Sequence, residues 1–411
     1  MSPTPRIMNL IFANNNYYLK GGADKVFFDE IRLLESQKHT VIPFAMHNSL
    51  NKKIPYSSYF PSGISYDNTG LVEKIKTAPK IIYSLDAKRQ FHRLLSSVNV
   101  DIIHAHNIYG RLTSSIVDAA KIMKKPIVLT LHDYKLVCPS YLMLNHGTTC
   151  EKCKGAHYYH CFVTRCHRDS FVASFIYSLE SYFNSVLRKY DWIRYLICPS
   201  NFIKEKFIEM GMPEDKLKIV YNLLDCTDFA PNYDGGKYLL YAGKLTKEKG
   251  VMTLLKAVTG LDLSLKIVGD GPLRSEYEGY VRENQLNNVT FEGFKSGEEL
   301  KSYFRYAAFH IVPSEWYENA PMTVIEAFAY GKPVIGGRIG GIPEMVLEGE
   351  TGFLFTPGDH DELREKISYL AYNPSKIAEM GRKARKRVEA EHNPHIHYKR
   401  LRNVYEAAIR L

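Results

Sequence analysis

Two carboxylates separated by seven residues, Glu318 and Glu326, flank a helix start. Ahead of them Phe309-His310-Ile311-Val312 is an apolar run of the length of a buried strand. Asn319 has the side chain of an N-cap, Pro321 suits a first turn, and Gly331 before Lys332-Pro333 ends the helical pattern. Strand, loop and helix in that order leave unpaired N–H groups facing the loop, and such a terminus attracts phosphate. Carboxylates beside a phosphate repel it unless they hold something else, and their natural neutral partners are hydroxyls. The stretch therefore predicts a ligand carrying both a phosphate and sugar hydroxyls.

Cations are supplied nearby in sequence. Lys244 and Lys249 lie in a loop bounded by Gly243 and Gly250, after the strand-like run 237–242 and before a helical pattern. Further strand-to-loop exits occur at Gly269 and at Gly293-Phe294. In the first half, Gly21-Gly22 lets a ligand approach the backbone at the start of a helix that Asp24 can cap. His104, His106, His132 and Asp133 fall at the C-terminal ends of strand-like runs, where open parallel sheets bind ligands. Strand alternation puts His104 and His106 on one face without requiring a metal. The G-x-G-x-x-G dinucleotide fingerprint is absent.

The Glu-x7-Glu spacing, with the other motifs in order from residue 21 to 355, resembles the signature of retaining glycosyltransferases of the GT-B fold, family-4 type. The resemblance implies that Glu318 binds hydroxyls of a donor sugar and Glu326 the ribose of its nucleotide. It implies that backbone around Met322 and Thr323 faces the diphosphate, and that Lys244 and Lys249 neutralise it. Gly21, Gly22 and Gly269 would adjoin the bound donor, Gly293-Phe294 the base, and His132 the anomeric centre. Catalytic roles would then fall to His132, Glu318 and Lys249. Two departures from the family pattern are visible. Pro321 stands where many members carry Gly. Lys244 stands where Arg is common, which loses the planar two-toothed contact with phosphate.

Five of the seven cysteines lie between residues 138 and 166. Cys150-x2-Cys153 with Cys161-x4-Cys166 has the spacing of a structural zinc site, with His157, His160 and His167 as alternative ligands; packed free thiols are the other outcome. The segment Leu131-His132-Asp133-Tyr134 followed by Cys138-Pro139 and this insert resembles one bacterial branch of family 4.

These residues need elements to hold them. Strand-like and helical runs alternate along all 411 residues, which predicts an α/β chain with parallel sheets. By resemblance the chain folds as two doubly wound Rossmann-like domains facing across a cleft. The expected divisions are 1–225, an acceptor domain with the Cys-rich insert 138–166, and 226–393, a donor domain. The Pro-, Asn- and Gly-rich stretch 228–236 is the linker, and a last helix near 394–411 returns to the first domain. Asp359-His360-Asp361 follows Pro-Gly and opens a helical run, so it is expected to cap a helix and to bind no metal. Residues 47–70 are polar and turn-rich, as a mobile acceptor-side loop would be.

The net charge of +10 favours anionic partners, a membrane surface or phosphate-bearing substrates, and no nucleic-acid motif accompanies it. The basic run Arg382–Arg387 fits either a solvated helix face or a membrane-facing patch. The aromatic-rich pattern 171–190 fits either core packing or contact with a lipid. No run of 18 apolar residues occurs, and the opening residues lack a signal-peptide pattern, which predicts a cytoplasmic protein. The resemblance adds peripheral attachment to the inner face of the membrane. It implies transfer of a sugar from a UDP- or GDP-sugar to a glycan or lipid-linked acceptor in bacterial surface-polysaccharide assembly, with no catalytic metal. The alternatives are a nucleotide-sugar-binding protein without transferase activity and another GT-B enzyme such as an epimerase.

Overall fold

The computed structural model describes residues 6–63 and 79–411. Part of the polar stretch 47–70 therefore lies outside the described residues. The chain divides into two compact units. The first comprises 1–146, 150–221 and 397–411; the second comprises 147–149 and 222–396.

The first unit is built on six parallel strands: β1 (Asn9–Ala13), β2 (Thr40–Phe44), β3 (Ile102–Ala105), β4 (Ile127–Thr130), β5 (Ile193–Cys198) and β6 (Leu217–Ile219). Their order is β2-β1-β3-β4-β5-β6, with Leu10 in register with Val41 on one side and Ile102 on the other. The second unit repeats the plan with β7 (Leu239–Ala242), β8 (Leu265–Val268), β9 (Val289–Gly293), β10 (Phe309–Val312), β11 (Val334–Gly337) and β12 (Gly352–Phe355), in the order β9-β8-β7-β10-β11-β12. Both are doubly wound, Rossmann-like parallel sheets.

The near-continuous apolar strands follow from burial on both faces. In β7, Leu239 and Tyr241 join one core cluster, while Leu240 and Ala242 join the other. Side chains alternate across a strand, so each face receives every second residue. Short polar residues then start the helices where the sequence places them. Ser84 accepts from the Ala87 N–H, Ser200 from Ile203, and Asp359 from Asp361 and Glu362. The helix that Ser84 caps runs Leu85–Ser97.

Two long-range features lock the periphery. Arg385, in the helix Pro374–Glu391, donates to the carbonyls of Cys226, Phe229 and Ala329. Arg387 donates to the carbonyl of Glu344 at 2.8 Å. The basic run is thus partly structural. The helix Phe171–Val186 buries its polar residues, among them Ser174, Ser178, Glu180 and Asn184.

Candidate functional site

In the second unit the strand exits lie side by side. The Gly243 N–H donates to the Val268 carbonyl at 2.9 Å, and the Gly269 N–H to the Gly293 carbonyl at 2.8 Å. Gly269 has φ +140°, and a Cβ there would lie 1.8 Å from the Gly243 carbonyl oxygen, so only glycine lets these exits meet. Lys244 follows on the surface, its carbonyl held by the Tyr241 hydroxyl at 2.7 Å. Phe294, next to Gly293, is exposed.

Lys249 and Glu318 come together across 69 residues. The ammonium Nζ lies 2.6 Å from Glu318 Oε1, the Ser314 hydroxyl donates to the same oxygen at 2.6 Å, and Nζ lies 4.9 Å from the centre of the Trp316 ring. The Glu318 side chain is 8% exposed and that of Lys249 23%. Burial pushes the Glu318 carboxyl up. Lys249, Ser314 and Trp316 outweigh it and hold the group below the usual carboxylate range.

The loop carrying Glu318 is fixed by Gly340-Gly341. The Gly341 N–H donates to the Glu318 carbonyl at 2.7 Å, and a Cβ on Gly341 would lie 1.9 Å from the Asn319 carbonyl oxygen. That packing sets the helix start. The helix runs Met322–Ala329, with Pro321 extended at its N-cap position and no side-chain cap. Asn319 therefore does not cap it, and Pro321 precedes the first turn instead of occupying it. Met322 and Thr323 form the first turn, and Glu326 follows half-buried on the same helix.

In the first unit the exits of β1 and β3 are tied together. The Asn15 N–H donates to the Asn107 carbonyl at 2.7 Å, and Asn14 Oδ1 accepts from the Asn107 N–H at 3.2 Å. Asp24 does not cap the helix Gly22–Ser36. It is buried, accepting from the Asn14 amide at 2.9 Å and the Lys20 N–H at 3.3 Å. Gly21 is exposed and extended, and a Cβ there would meet nothing among the described residues. The fold itself thus imposes no need for glycine at this position.

His132 ends a buried chain of polar groups. Its Nε2 lies 2.9 Å from His106 Nδ1, and His106 Nε2 lies 3.5 Å from Glu30 Oε2. Glu30 Oε1 lies 3.1 Å from His397 Nε2, whose Nδ1 donates to the Tyr221 carbonyl at 2.7 Å. An ionised carboxylate only accepts, so the His106 ring turns an N–H toward Glu30. With one proton on that ring, His106 Nδ1 accepts from His132 Nε2–H, and His132 is left with a bare Nδ1. Close packing and the neighbouring His106 push the His132 pKa down to about 3. Burial raises the Glu30 carboxyl, but His104, His106 and His397 together hold it well below the usual range. Beside His132, burial pushes Asp133 up to about 6 against the pull of Lys135.

Glu30, His104 and His106 are the one set of three metal-capable side chains among the described residues whose donor atoms lie mutually within 4.8 Å. Both nitrogens of His104 are engaged by hydroxyls, Tyr405 and Thr130, each at 2.7 Å. The set is thereby accounted for as a hydrogen-bonded network.

Cys150, Cys153, Cys161 and Cys166 form no such set. Tetrahedral zinc with Zn–S near 2.3 Å needs sulfurs about 3.8 Å apart, so these thiols stand wider than a closed site. Cys161 S–H donates to the Ser174 carbonyl at 3.9 Å, and the neighbouring Cys166 is lowered to about 6 by Cys161 while Cys161 itself is raised.

Sequence reasoning missed Glu30, Ser314, Trp316 and Asn14. Each acts through a tertiary contact and has no motif of its own.

Comparison with known proteins identifies the family and the fold. Residues 20–228 match the family model "Glycosyltransferase Family 4" and residues 228–387 the model "Glycosyl transferases group 1". An uncharacterized glycosyltransferase of Methanocaldococcus jannaschii is 33% identical over 178 residues, 43% of this chain and 50% of the relative. The amylovoran biosynthesis glycosyltransferase AmsK of Erwinia amylovora is 27% identical over 222 residues, 50% of this chain and 54% of the relative. The chain thus spans about half the length of these two relatives. Among solved structures, Anabaena Alr3699/HepE in complex with UDP and glucose shares the fold, with a TM-score of 0.67 at 17% identity, covering 97% of this chain and 100% of that one. Since the first model alone covers more than half of the sequence, this chain belongs to glycosyltransferase family 4.

Proposed function

We propose that the chain transfers a sugar, with retained anomeric configuration, from a UDP- or GDP-sugar to an acceptor hydroxyl. The acceptor class we assign is a lipid-linked or polysaccharide glycan of a bacterial surface. The observation that carries this reading is the Lys249–Glu318 pair set against the free N–H groups of the helix starting at Met322. A buried carboxylate suits sugar hydroxyls, and an ammonium beside a helix N-terminus suits a diphosphate. Relatives support the substrate class: AmsK is named for amylovoran biosynthesis, and HepE was crystallised with UDP and glucose.

In the proposed step the bond from the sugar's anomeric carbon to the diphosphate oxygen breaks, and one to the acceptor oxygen forms on the same face. The acceptor proton passes to the departing diphosphate. Lys249 and Lys244 neutralise the charge that develops there, which assigns the work of a metal ion to side chains and helix N–H groups. Glu318 holds the sugar hydroxyls and Glu326 the ribose, and the bare Nδ1 of His132 is the hydroxyl acceptor that the first unit offers. Gly269, Gly293 and Phe294 line the donor, and Gly21-Gly22 leave the backbone of the first unit open to close approach.

The test is thermal stability against a panel of nucleotides and nucleotide sugars in EDTA. A ligand that binds only the folded chain raises Tm. The expected result is a shift with UDP or GDP and their sugars that Glu326→Ala or Lys249→Ala removes. No shift with any of them overturns the donor-site assignment.

A further inference from the structure

The helix Phe171–Val186 is inside out. Its inward face is polar and, apart from the buried Ser181 hydroxyl, committed to hydrogen bonds and an ion pair. Ser174 Oγ accepts from the His167 N–H at 3.1 Å, and Ser178 donates to the Tyr158 carbonyl at 3.0 Å. Glu180 pairs with the buried Lys135 at 2.5 Å, and Asn184 accepts from Ser114 at 2.6 Å while donating to Glu180 at 2.6 Å. These contacts fix the rotation of the helix, because rolling it would strand a buried ion pair and several hydrogen bonds. The outward face is left to apolar residues. Phe171, Phe175, Leu179, Val186 and Leu187 are 46% to 75% exposed. At 100° per residue, the first four fall within one quarter of the helix circumference and Leu187 extends the strip. The ring of Phe162 packs against Phe171 and Phe175, at centroid distances of 4.5 and 5.4 Å, and Val163 beside it is also exposed, so the strip continues onto the helix Tyr159–Val163.

The ends of the helix are basic. Arg165 and Arg168 are exposed on the turn before it, with Asp169 the one exposed acid there; Arg188 is exposed and Lys189 half-buried on the turn after it. Arg188 pairs with Asp191 at 2.5 Å and Lys189 with Asp118 at 2.6 Å, so the unbalanced charge lies at the N-terminal end. Sixteen residues make a rod of about 24 Å, and no helix among the described residues is long and apolar enough to cross a membrane. An apolar strip flanked by Arg and Lys on a helix that cannot span is the pattern of one lying in the bilayer interface.

We propose that the outward face of Phe171–Val186, extended by Phe162 and Val163, docks the chain on an anionic lipid bilayer. Lipid phosphates pair with Arg165 and Arg168, and the Phe and Leu side chains enter the acyl boundary. The occupant is a bilayer and not a second copy of this chain: the charge ahead of the helix is positive, and a copy of itself would repeat that charge. Docking needs no turnover, so its test is separable from that of sugar transfer.

The experiment is sedimentation of the full chain with vesicles of phosphatidylcholine containing about 30% phosphatidylglycerol, against phosphatidylcholine alone. The wild-type chain is expected to sediment with the anionic vesicles at least tenfold more tightly than with neutral ones. Phe175→Asp/Leu179→Asp, both at half-exposed positions, is expected to weaken binding at least tenfold while keeping the Tm and the Tm shift with nucleotide. Arg165→Ser/Arg168→Ser checks the charge separately and is expected to act only on anionic vesicles. Equal binding by the Asp variant, or no binding by the wild type, overturns the proposal. So does a wild-type dimer in light scattering that the Asp variant dissolves, since a second copy would then cover the face.

Discussion

Glu318→Gln separates two duties that the wild-type carboxylate combines. Its Oε1 lies 2.6 Å from Lys249 Nζ and 2.6 Å from the Ser314 hydroxyl, so it is both a counter-ion and an anchor. Glutamine keeps the shape and an acceptor oxygen, and removes only the charge. A hydrogen bond to a buried charged group is worth about 1.5–3 kcal/mol, and a neutral one about 1. The difference, about 0.5–2 kcal/mol for each sugar hydroxyl, corresponds to roughly 2- to 30-fold, and two hydroxyls on one carboxylate multiply it. We expect kcat/KM for the nucleotide sugar to fall 10- to 100-fold. The free nucleoside diphosphate should behave oppositely, because Lys249 is released from its counter-ion. Its affinity should hold or rise a few-fold. The assay pairs product formation with calorimetric titration of the diphosphate. Equal loss of both ligands, or transfer within twofold of wild type, would refute the assignment of Glu318 to the sugar and of Lys249 to the diphosphate.

Other expectations follow from neighbouring contacts. His106→Asn should lower kcat about tenfold with little change in KM, and ¹⁵N NMR should show the protonated nitrogen of His132 moving from Nε2; an unchanged tautomer would sink the proton assignment. Stability should fall with acid. His132 and His310, each lowered to about 3 with burial the first cause, stay neutral when folded but take up protons below pH 6.5 when unfolded. Each therefore costs up to about 1.4 kcal/mol per pH unit below that point. The depressed Glu30 adds to the loss below 4.5, while Asp133, raised to about 6, works the other way over 6 to 3.8. Flat urea stability from pH 7 to 5 would contradict this. Cys166, lowered to about 6, should be the first thiol alkylated by iodoacetamide at pH 7, and faster labelling of Cys226, raised to about 11 by burial, would be inconsistent with that lowering. Gly341→Ala, with a Cβ 1.9 Å from the Asn319 carbonyl oxygen, should cost a few kcal/mol and weaken nucleotide binding; wild-type binding would show that this loop adapts.

Much of the fold was legible because parallel strands buried on both faces are short apolar runs, and β7 and β10 read as strands directly. The loop of Lys249 was legible as a strand exit because Gly243 and Gly250 bound it, and that of Glu318 because an apolar strand-like run precedes it. What was hidden depended on tertiary contact. Asn319 looks like a cap by composition, yet the packing of Gly341 moves the helix start to Met322. The aromatic helix offered no sign of its facing, since a stripe of Phe and Leu is the same on paper whether turned in or out. Its direction is decided by partners far away, Lys135 and Ser114.

The segment His397–Leu411 belongs to the first unit although its sequence follows the whole of the second. It brings the hydroxyls of Tyr398 and Tyr405 to His39 and His104, and His397 to Glu30. During synthesis these partners emerge from the ribosome 176 residues after Tyr221. Until then Glu30 and His104 face a polar interior without them, so the unit made first is finished last. Its nascent form needs either water in that interior or a delay in closing it. Cells expressing the chain would accumulate a protease-sensitive first unit whenever elongation stalls before residue 397, and truncation of that short segment should act on the opposite end of the sequence.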